Sequence, residues 1–313
     1  MALITVMVPG LMTTVQDLGR WGWQARGVSV AGPMDPWSHR AANVLVGNDA
    51  DAATLEMTFS GPELTFDDER TAVIAGADFE ATVDGRPVPI FTPFQVSVGS
   101  ILRVGRCRRD CRAYLAVAGG ITVPRVLGSR ATHLPSGIGG VEGRALRAGD
   151  QLPLGEQRRH RVMSIRPAYA GLPHSSGAPT LRVIPGPDLG SFAQRALDVL
   201  QSTTYTVDPA SDRMGFRLTG PTLPRLPDAN VISDAAPLGA LQVPESGQPI
   251  LLMADRPTSG GYPILGTLIS ADVSLAGQLG PGDAVRFAAT SEREAVAALI
   301  AQERTLMALA EGR

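Results

Sequence analysis

Breakers punctuate this chain so often that long uninterrupted elements are excluded over most of it: of 313 residues, 35 are Gly and 25 are Pro. Between them lie short strand-like runs, among them Leu3–Val8, Thr54–Phe59, Ala72–Ile74, Phe94–Val98 and Ala113–Val117. Frequent turns and short apolar runs predict a mainly β fold, a barrel or a sandwich, because such folds reverse direction every few residues. A few helices interrupt the pattern. Asp35 is placed to cap one, Pro36 suits its first position, and Trp37–Val46 carries apolar residues at helical spacing until Gly47-Asn48 stops it. A second, short helix is expected over Leu189–Leu200. A C-terminal helix over Ala295–Leu309 opens on the capping box Ser291-Glu292-Arg293-Glu294, and its Leu299, Leu306 and Leu309 are expected to pack on the barrel rather than on a partner helix.

The length admits one large domain or two ordinary ones, and 44% hydrophobic against 19% charged residues supplies ample material for a core. Residues 156–180 are rich in Arg, Pro, Gly and Ser and have no steady period, so they read as a connection. The expected organisation is an N-terminal subdomain over 1–155, this connection, and a C-terminal subdomain with its helix over 181–313. A short echo supports two related halves. Ala148-Gly149-Asp150-Gln151-Leu152 closes the first, and Gly280-Pro281-Gly282-Asp283-Ala284 precedes the last strand-like run of the second.

All 28 cationic side chains are arginine, for the chain contains no lysine. That excludes from it a phosphate-loop lysine, a Schiff base, a Ser-Lys nucleophile and a biotinylated lysine, none of which arginine replaces. A net charge of −2 argues against a nucleic-acid partner. The basic clusters Arg106–Arg112 and Arg158–Arg161 read as solvated loops. No apolar run approaches the roughly 20 residues that span a bilayer, and the first residues lack a basic leader, so a cytoplasmic location away from membranes is expected. Cys107 and Cys111 are too few for a disulfide framework and lack a second pair for zinc. The scattered His39, His133, His160 and His174 read as surface or loop residues, so no metal is expected. Gly137–Gly143 departs from a dinucleotide loop and reads as a turn or a loop over a cleft. Gly27-Val28-Ser29-Val30-Ala31 falls short of a nucleophile elbow.

Two segments set polar residues among glycines, where a plain hairpin does not need them. One is Thr14–Arg20 followed by Gly32–Asp35; the other is Leu241–Pro244 followed by Met253–Pro263. Glycine admits close backbone approach, and Arg with Asp, Gln and Thr supplies directed hydrogen bonds. The residues alone leave a ligand site and a structural Asp–Arg pair equally open.

These same segments carry a resemblance. Pro9-Gly10, Thr14-Val15-Gln16-Asp17-Leu18-Gly19-Arg20, Gly32-Pro33-Met34-Asp35, Tyr114–Ile121, Asp212–Leu218, Gln242-Val243-Pro244 and Asp255–Pro263 resemble, in order, the KipA / allophanate hydrolase subunit 2 family. The resemblance implies two cyclophilin-like β-barrel subdomains and a KipI-like B-type partner. It further implies one part of ATP-dependent 5-oxoprolinase, a hydrolase that opens the small cyclic amide 5-oxoproline to glutamate and also needs an A-type (LamB/YcsF-like) subunit. Such a chain is expected to be inactive alone, with ATP used by the assembled complex and neither metal nor biotin attached here. The alternatives are carboxyl transfer from carboxybiotin to a urea-like acceptor, and a KipA-like antagonist of a kinase inhibitor. Allophanate cleavage of the amidase type is disfavoured by the missing lysine. The candidate catalytic residues are Asp255 and Arg256: Arg256 to hold a carboxylate or developing oxyanion, Asp255 to orient it or take a proton. The candidate substrate-binding residues are Gln16, Asp17, Arg20, Asp35, Gln242, Thr258, Gly260, Gly261 and Tyr262. Pro257 stands where many relatives have Gln.

Overall fold

The computed structural model describes residues 2–157, 177–226 and 232–311. The chain divides into two compact units, the first of Met1–Arg20, Ala31–Gly171 and Arg304–Arg313, the second of Trp21–Val30 and Leu172–Glu303. Two short pieces thus fall across the division read from the sequence. Within the second unit the Ser29 hydroxyl donates to the Arg256 carbonyl at 2.9 Å. Within the first, Leu306 and Leu309 join an apolar cluster with Trp37, Leu45 and Phe91. A long-range hydrogen bond ties the first piece and apolar burial the second, and local pattern records neither.

Nine strands make one sheet in the first unit: β1 Leu3–Val8, β2 Met12–Gln16, β3 Thr54–Thr58, β4 Glu63–Phe66, β5 Arg70–Val83, β6 Arg86–Pro87, β7 Phe94–Val96, β8 Ile101–Val117 and β9 Gln151–Pro153. Neighbours run β2-β3-β8-β4-β1-β9, and β5 pairs with β6, β7 and β8. The spine is the antiparallel pair of β5 and β8, in register from Ala72 opposite Val117 to Val83 opposite Leu102 with bulges between Gly76 and Ala81. Arg106–Arg112, expected as a loop, lies inside β8. Arg106, Arg108 and Arg109 face water there, so a strand solvates them as a loop would, and Arg108 meets Glu80 at 3.0 Å. The 158–161 cluster lies outside the described residues.

Helix α1, Pro36–Val46, starts and stops where the spacing predicts: the Asp35 carboxylate accepts the Ser38 N–H at 2.9 Å, and Gly47 ends the helix at φ +79°. Such a φ suits glycine, which lacks the Cβ that would clash.

The second unit contains β10 Thr180–Pro185, β11 Thr204–Val207, β12 Gly215–Thr219, β13 Asp234–Ala235, β14 Ala240–Gln242, β15 Ile250–Leu252, β16 Ser259–Gly260, β17 Ile264–Leu268 and β18 Ala284–Ala289. Seven of these close a barrel in the order β10-β17-β14-β15-β12-β11-β18, and β13 and β16 pair separately. The helix expected over Leu189–Leu200 is broken into a 3₁₀ turn at Leu189–Ser191 and helix α2 at Ala196–Ser202. Between them Phe192 bridges to Arg225 and the Ala193 N–H bonds the Pro224 carbonyl, which draws those residues into extended backbone. Helix α3, Val273–Ala276, is a single turn, and α4 runs Glu292–Glu311. Its capping box is formed both ways: the Ser291 N–H donates to Glu294 at 2.9 Å and the Glu294 N–H to the Ser291 hydroxyl at 3.3 Å.

The sequence echo is a repeated piece of geometry. Gly149 bonds the Val6 carbonyl and Val6 bonds the Asp150 carbonyl, at 2.8 and 2.9 Å; Gly282 and Asp283 make the same pair with Val207, at the same distances. In each turn the aspartate carboxylate accepts the N–H three residues earlier, at 2.7 Å from Arg147 or from Gly280. Both glycines sit near φ +90°, so the two turns, each just ahead of a strand, are one design used twice.

Candidate functional site

Strand pairing creates the site in the second unit. Gly215, the first residue of β12, lies opposite Leu252, the last of β15. The residues just before β12 and just after β15 therefore meet at one end of the barrel. There the Arg213 guanidinium grips the Asp255 carboxylate with two bonds, 3.0 and 3.1 Å, both side chains being buried. The Asp255 N–H returns to the Arg213 carbonyl at 2.8 Å, and the Met253 N–H bonds the Met214 carbonyl at 2.9 Å. Asp255, expected to orient Arg256 or take a proton, is thus paired with Arg213.

Arg256, next in the chain, faces the other way. Its Nε–H donates to the Ala236 carbonyl at 3.0 Å, and its guanidinium lines a cleft of about 810 Å³. Burial lowers the pKa of this arginine from its ordinary value, and the charge of Asp255 works in the opposite sense. Thr258, Gly260 and Tyr262 line the same cleft, together with Trp21 and Gln24. Two carboxylates also face it: Asp188, which accepts the Ile264 N–H at 2.9 Å, and Asp234 of β13. The residue order alone did not single out Asp188, Asp234, Trp21 or Gln24. Asp188 stands in a Pro-Asp turn and carries no spacing signal.

Gln242 and Gly261 are not among the residues that line this cleft. Gln242 is buried, and a Cβ on Gly260 would lie 2.4 Å from its side-chain nitrogen, so a larger residue there would push that amide aside. Gly261 has the Ser233 hydroxyl 3.3 Å from where its Cβ would be.

The first-unit candidates turn their polar atoms inward. Gln16 donates to the Thr14 hydroxyl and the Thr132 carbonyl, at 3.0 and 3.1 Å. The Asp17 carboxylate accepts the Ser129 hydroxyl and the Arg130 N–H, both at 2.5 Å, and Arg20 donates to the Ala131 carbonyl. Three residues of the Thr14–Arg20 motif thus hold one segment, 129–132. Asp35, fully buried, spends its carboxylate on Ser38. In this fold the first three tie down a loop and Asp35 caps a helix. A second cleft of about 480 Å³ is lined by Gly137–Gly143, so the glycine-rich segment does border a cavity. Among the described residues no group of three His, Cys, Asp or Glu gathers as for a metal, and no helix is long and apolar enough to cross a membrane.

Comparison with known proteins matches residues 26–289 to the family described as carboxyltransferase domain, subdomain A and B. The chain is 37% identical to the C-type subunit of 5-oxoprolinase from Escherichia coli K12 over 308 residues, 98% of each chain. It is 36% identical to the protein of that name from Haemophilus influenzae over 282 residues, 90% of this chain and 89% of the other. Among solved structures, the urea amidolyase of Kluyveromyces lactis is similar with a TM-score of 0.92 and 30% identity. That likeness covers 98% of this chain and only 20% of the larger one.

Proposed function

The chain belongs to the carboxyltransferase domain family, subdomains A and B, and on that footing we propose that it is the C-type subunit of an ATP-dependent 5-oxoprolinase. The observation that carries this reading is the end-to-end likeness to two subunits of that name, over 98% of both chains in the first case. The cleft is compatible in its chemistry. 5-Oxoproline is a five-membered lactam bearing a carboxylate, and the free end of the Arg256 fork offers that carboxylate two parallel donors. Asp188 and Asp234 face the same space and offer acceptors to the ring N–H. Thr258 and Tyr262 border the site as positioning groups.

Opening a lactam needs its carbonyl activated and the charge on its oxygen stabilised as the carbon becomes tetrahedral. Asp255 is tied to Arg213, and the groups that complete lactam opening are assigned to a KipI-like B-type subunit. The nucleotide also goes elsewhere. Among the described residues lining the cleft Arg256 is the one cation, set against two carboxylates, which does not suit a triphosphate. An A-type (LamB/YcsF-like) partner makes the enzyme whole, and the complex works in the cytoplasm, with neither metal nor biotin on this chain. A second reading, carboxyl transfer from carboxybiotin, is favoured by the likeness to urea amidolyase and would require a separate biotin carrier.

The test is reconstitution. The chain with B- and A-type subunits should release phosphate in a 5-oxoproline-dependent way, and omitting either this chain or the B-type partner should abolish it. Arg256→Ala should lower kcat/KM of the complex by roughly 100-fold, the scale of losing a charge-assisted pair in a desolvated site, while Tm moves by no more than a few degrees. Full turnover without the B-type partner would refute the partnership. A stable complex inert to 5-oxoproline but accepting carboxybiotin would replace the substrate with that of the second reading.

A further inference from the structure

We infer that Arg213, which does not itself line the cleft, is a positioning residue for Arg256 and acts through Asp255. This rests on the reading that Arg256 receives the substrate carboxylate. Three observations point to it. First, the contact between the segments is redundant for neutralising charge: two guanidinium–carboxylate bonds, the Asp255 N–H on the Arg213 carbonyl and the Met253 N–H on the Met214 carbonyl all join them. A parallel pair of bonds fixes direction as well as distance, which a single ionic contact does not.

Second, the pair lies where the fold has little need of it. The β12–β15 ladder already binds these strands together, from Gly215 opposite Leu252 to Arg217 opposite Ile250. Both charges are nevertheless out of water, with side-chain exposures of 6% and 1%. Burying an ion pair is costly compared with packing apolar residues of the same size, so fixing an orientation accounts for this pair better than stability does. Third, the residue after Asp255 is the one whose guanidinium enters the cleft. Arg256 is held by its N–H on the Met253 carbonyl, its carbonyl under Ser29, and its Nε–H on Ala236. With Asp255 fixed in direction, the Arg256 backbone has one orientation, and its long side chain enters the cleft already ordered rather than losing that freedom on binding.

The experiment uses two readouts. On the chain itself, the Arg256 Nε–H resonance is assigned by its disappearance in Arg256→Ala. In the unaltered protein it should stand apart from the bulk arginine signals and exchange slowly. In Arg213→Met/Asp255→Leu, an apolar pair of similar size that leaves no charge buried without its partner, it should fall into the bulk and exchange about tenfold faster or more. Should that double variant not fold, Arg213→Lys, which keeps the charge but loses the fork, must shift the same resonance. An unchanged resonance in whichever variant folds overturns the inference.

In the assembled enzyme the pair variant should raise KM for 5-oxoproline about tenfold with kcat altered less than about threefold, and adding Arg256→Ala should raise KM no further than Arg256→Ala does alone. Normal kinetics in Arg256→Ala would sink the underlying reading of Arg256. Impaired Arg256→Ala beside a pair variant of normal KM would sink the role of Arg213 alone.

Discussion

His39 lies fully buried on α1, its Nδ1 2.9 Å from the Thr54 hydroxyl and its ring edge-on to Tyr114. Burial pushes its pKa from 6.5 down to about 4, against an opposing pull from the carboxylates of Asp17 and Glu56. The native protein therefore keeps the imidazole neutral where the unfolded chain has already taken a proton. The sign follows from that difference: stability is unaffected above pH 6.5 and falls as pH drops from 6.5 to 4, by up to about 3 kcal/mol. His39→Gln, which retains a partner for Thr54, should remove that part of the pH dependence. Urea unfolding of both proteins at about pH 7 and about pH 4.5 checks it, and equal pH slopes would show that His39 titrates normally in the fold. Sequence spacing places this histidine on a loop or surface; its burial comes from packing against Tyr114, far along the chain on β8.

At the scale of elements, the two Gly-Asp turns offer a matched pair of substitutions. Asp283→Ala deletes the carboxylate bond to the Gly280 N–H, a net loss of about 1 kcal/mol for one hydrogen bond at a turn. Asp150→Ala deletes the equivalent bond to Arg147 and also the Arg144 fork, at 2.8 and 3.0 Å. Arg144 is the main reason the Asp150 carboxyl sits below its ordinary pKa. The second variant should lose more, about 2 kcal/mol, because that pair is only partly exposed. Urea midpoints at unchanged slope measure both. If Asp283→Ala costs nothing, the turn is set by its positive-φ glycine alone. The likeness of these turns was visible in a few residues of each, since a turn is local chemistry. The break in the 189–200 helix was not, because its cause is a bridge to Arg225.

At the scale of the whole molecule, the end of the last helix belongs with the first half of the chain. Leu306 and Leu309 share an apolar cluster with Trp37, Ala41 and Leu45 of α1. Leu306→Ala should leave a cavity there and cost about 3 kcal/mol, the usual figure for a buried leucine. Hydrogen exchange locates the effect: amides of α1 should exchange faster while those of β14 and β15 keep their protection. Loss of protection confined to the barrel strands would mean that α4 stabilises the second unit instead. That the helix carries an apolar stripe was legible from its spacing; the expected packing on the barrel is, for Leu306 and Leu309, packing against α1. Which unit they pack on was not legible there.

Local spacing was enough to place α1 and the capping box of α4, because caps, first-turn proline and terminating glycine act over a few residues. It was also enough to exclude lysine chemistry and to mark Asp255–Pro263 as the segment to watch. Partners had to wait for the fold. Asp255 meets Arg213 across 42 residues, and Asp17 meets Ser129 across 112. Whether a polar side chain pins a loop or faces a cleft depends on which strand lies beside it, and strand pairing is a nonlocal choice made by burial of the whole sheet. That is why the same Arg-and-Asp pattern read evenly as site or support, and why tertiary structure divided it: Arg256 into the cleft, Asp255 onto Arg213.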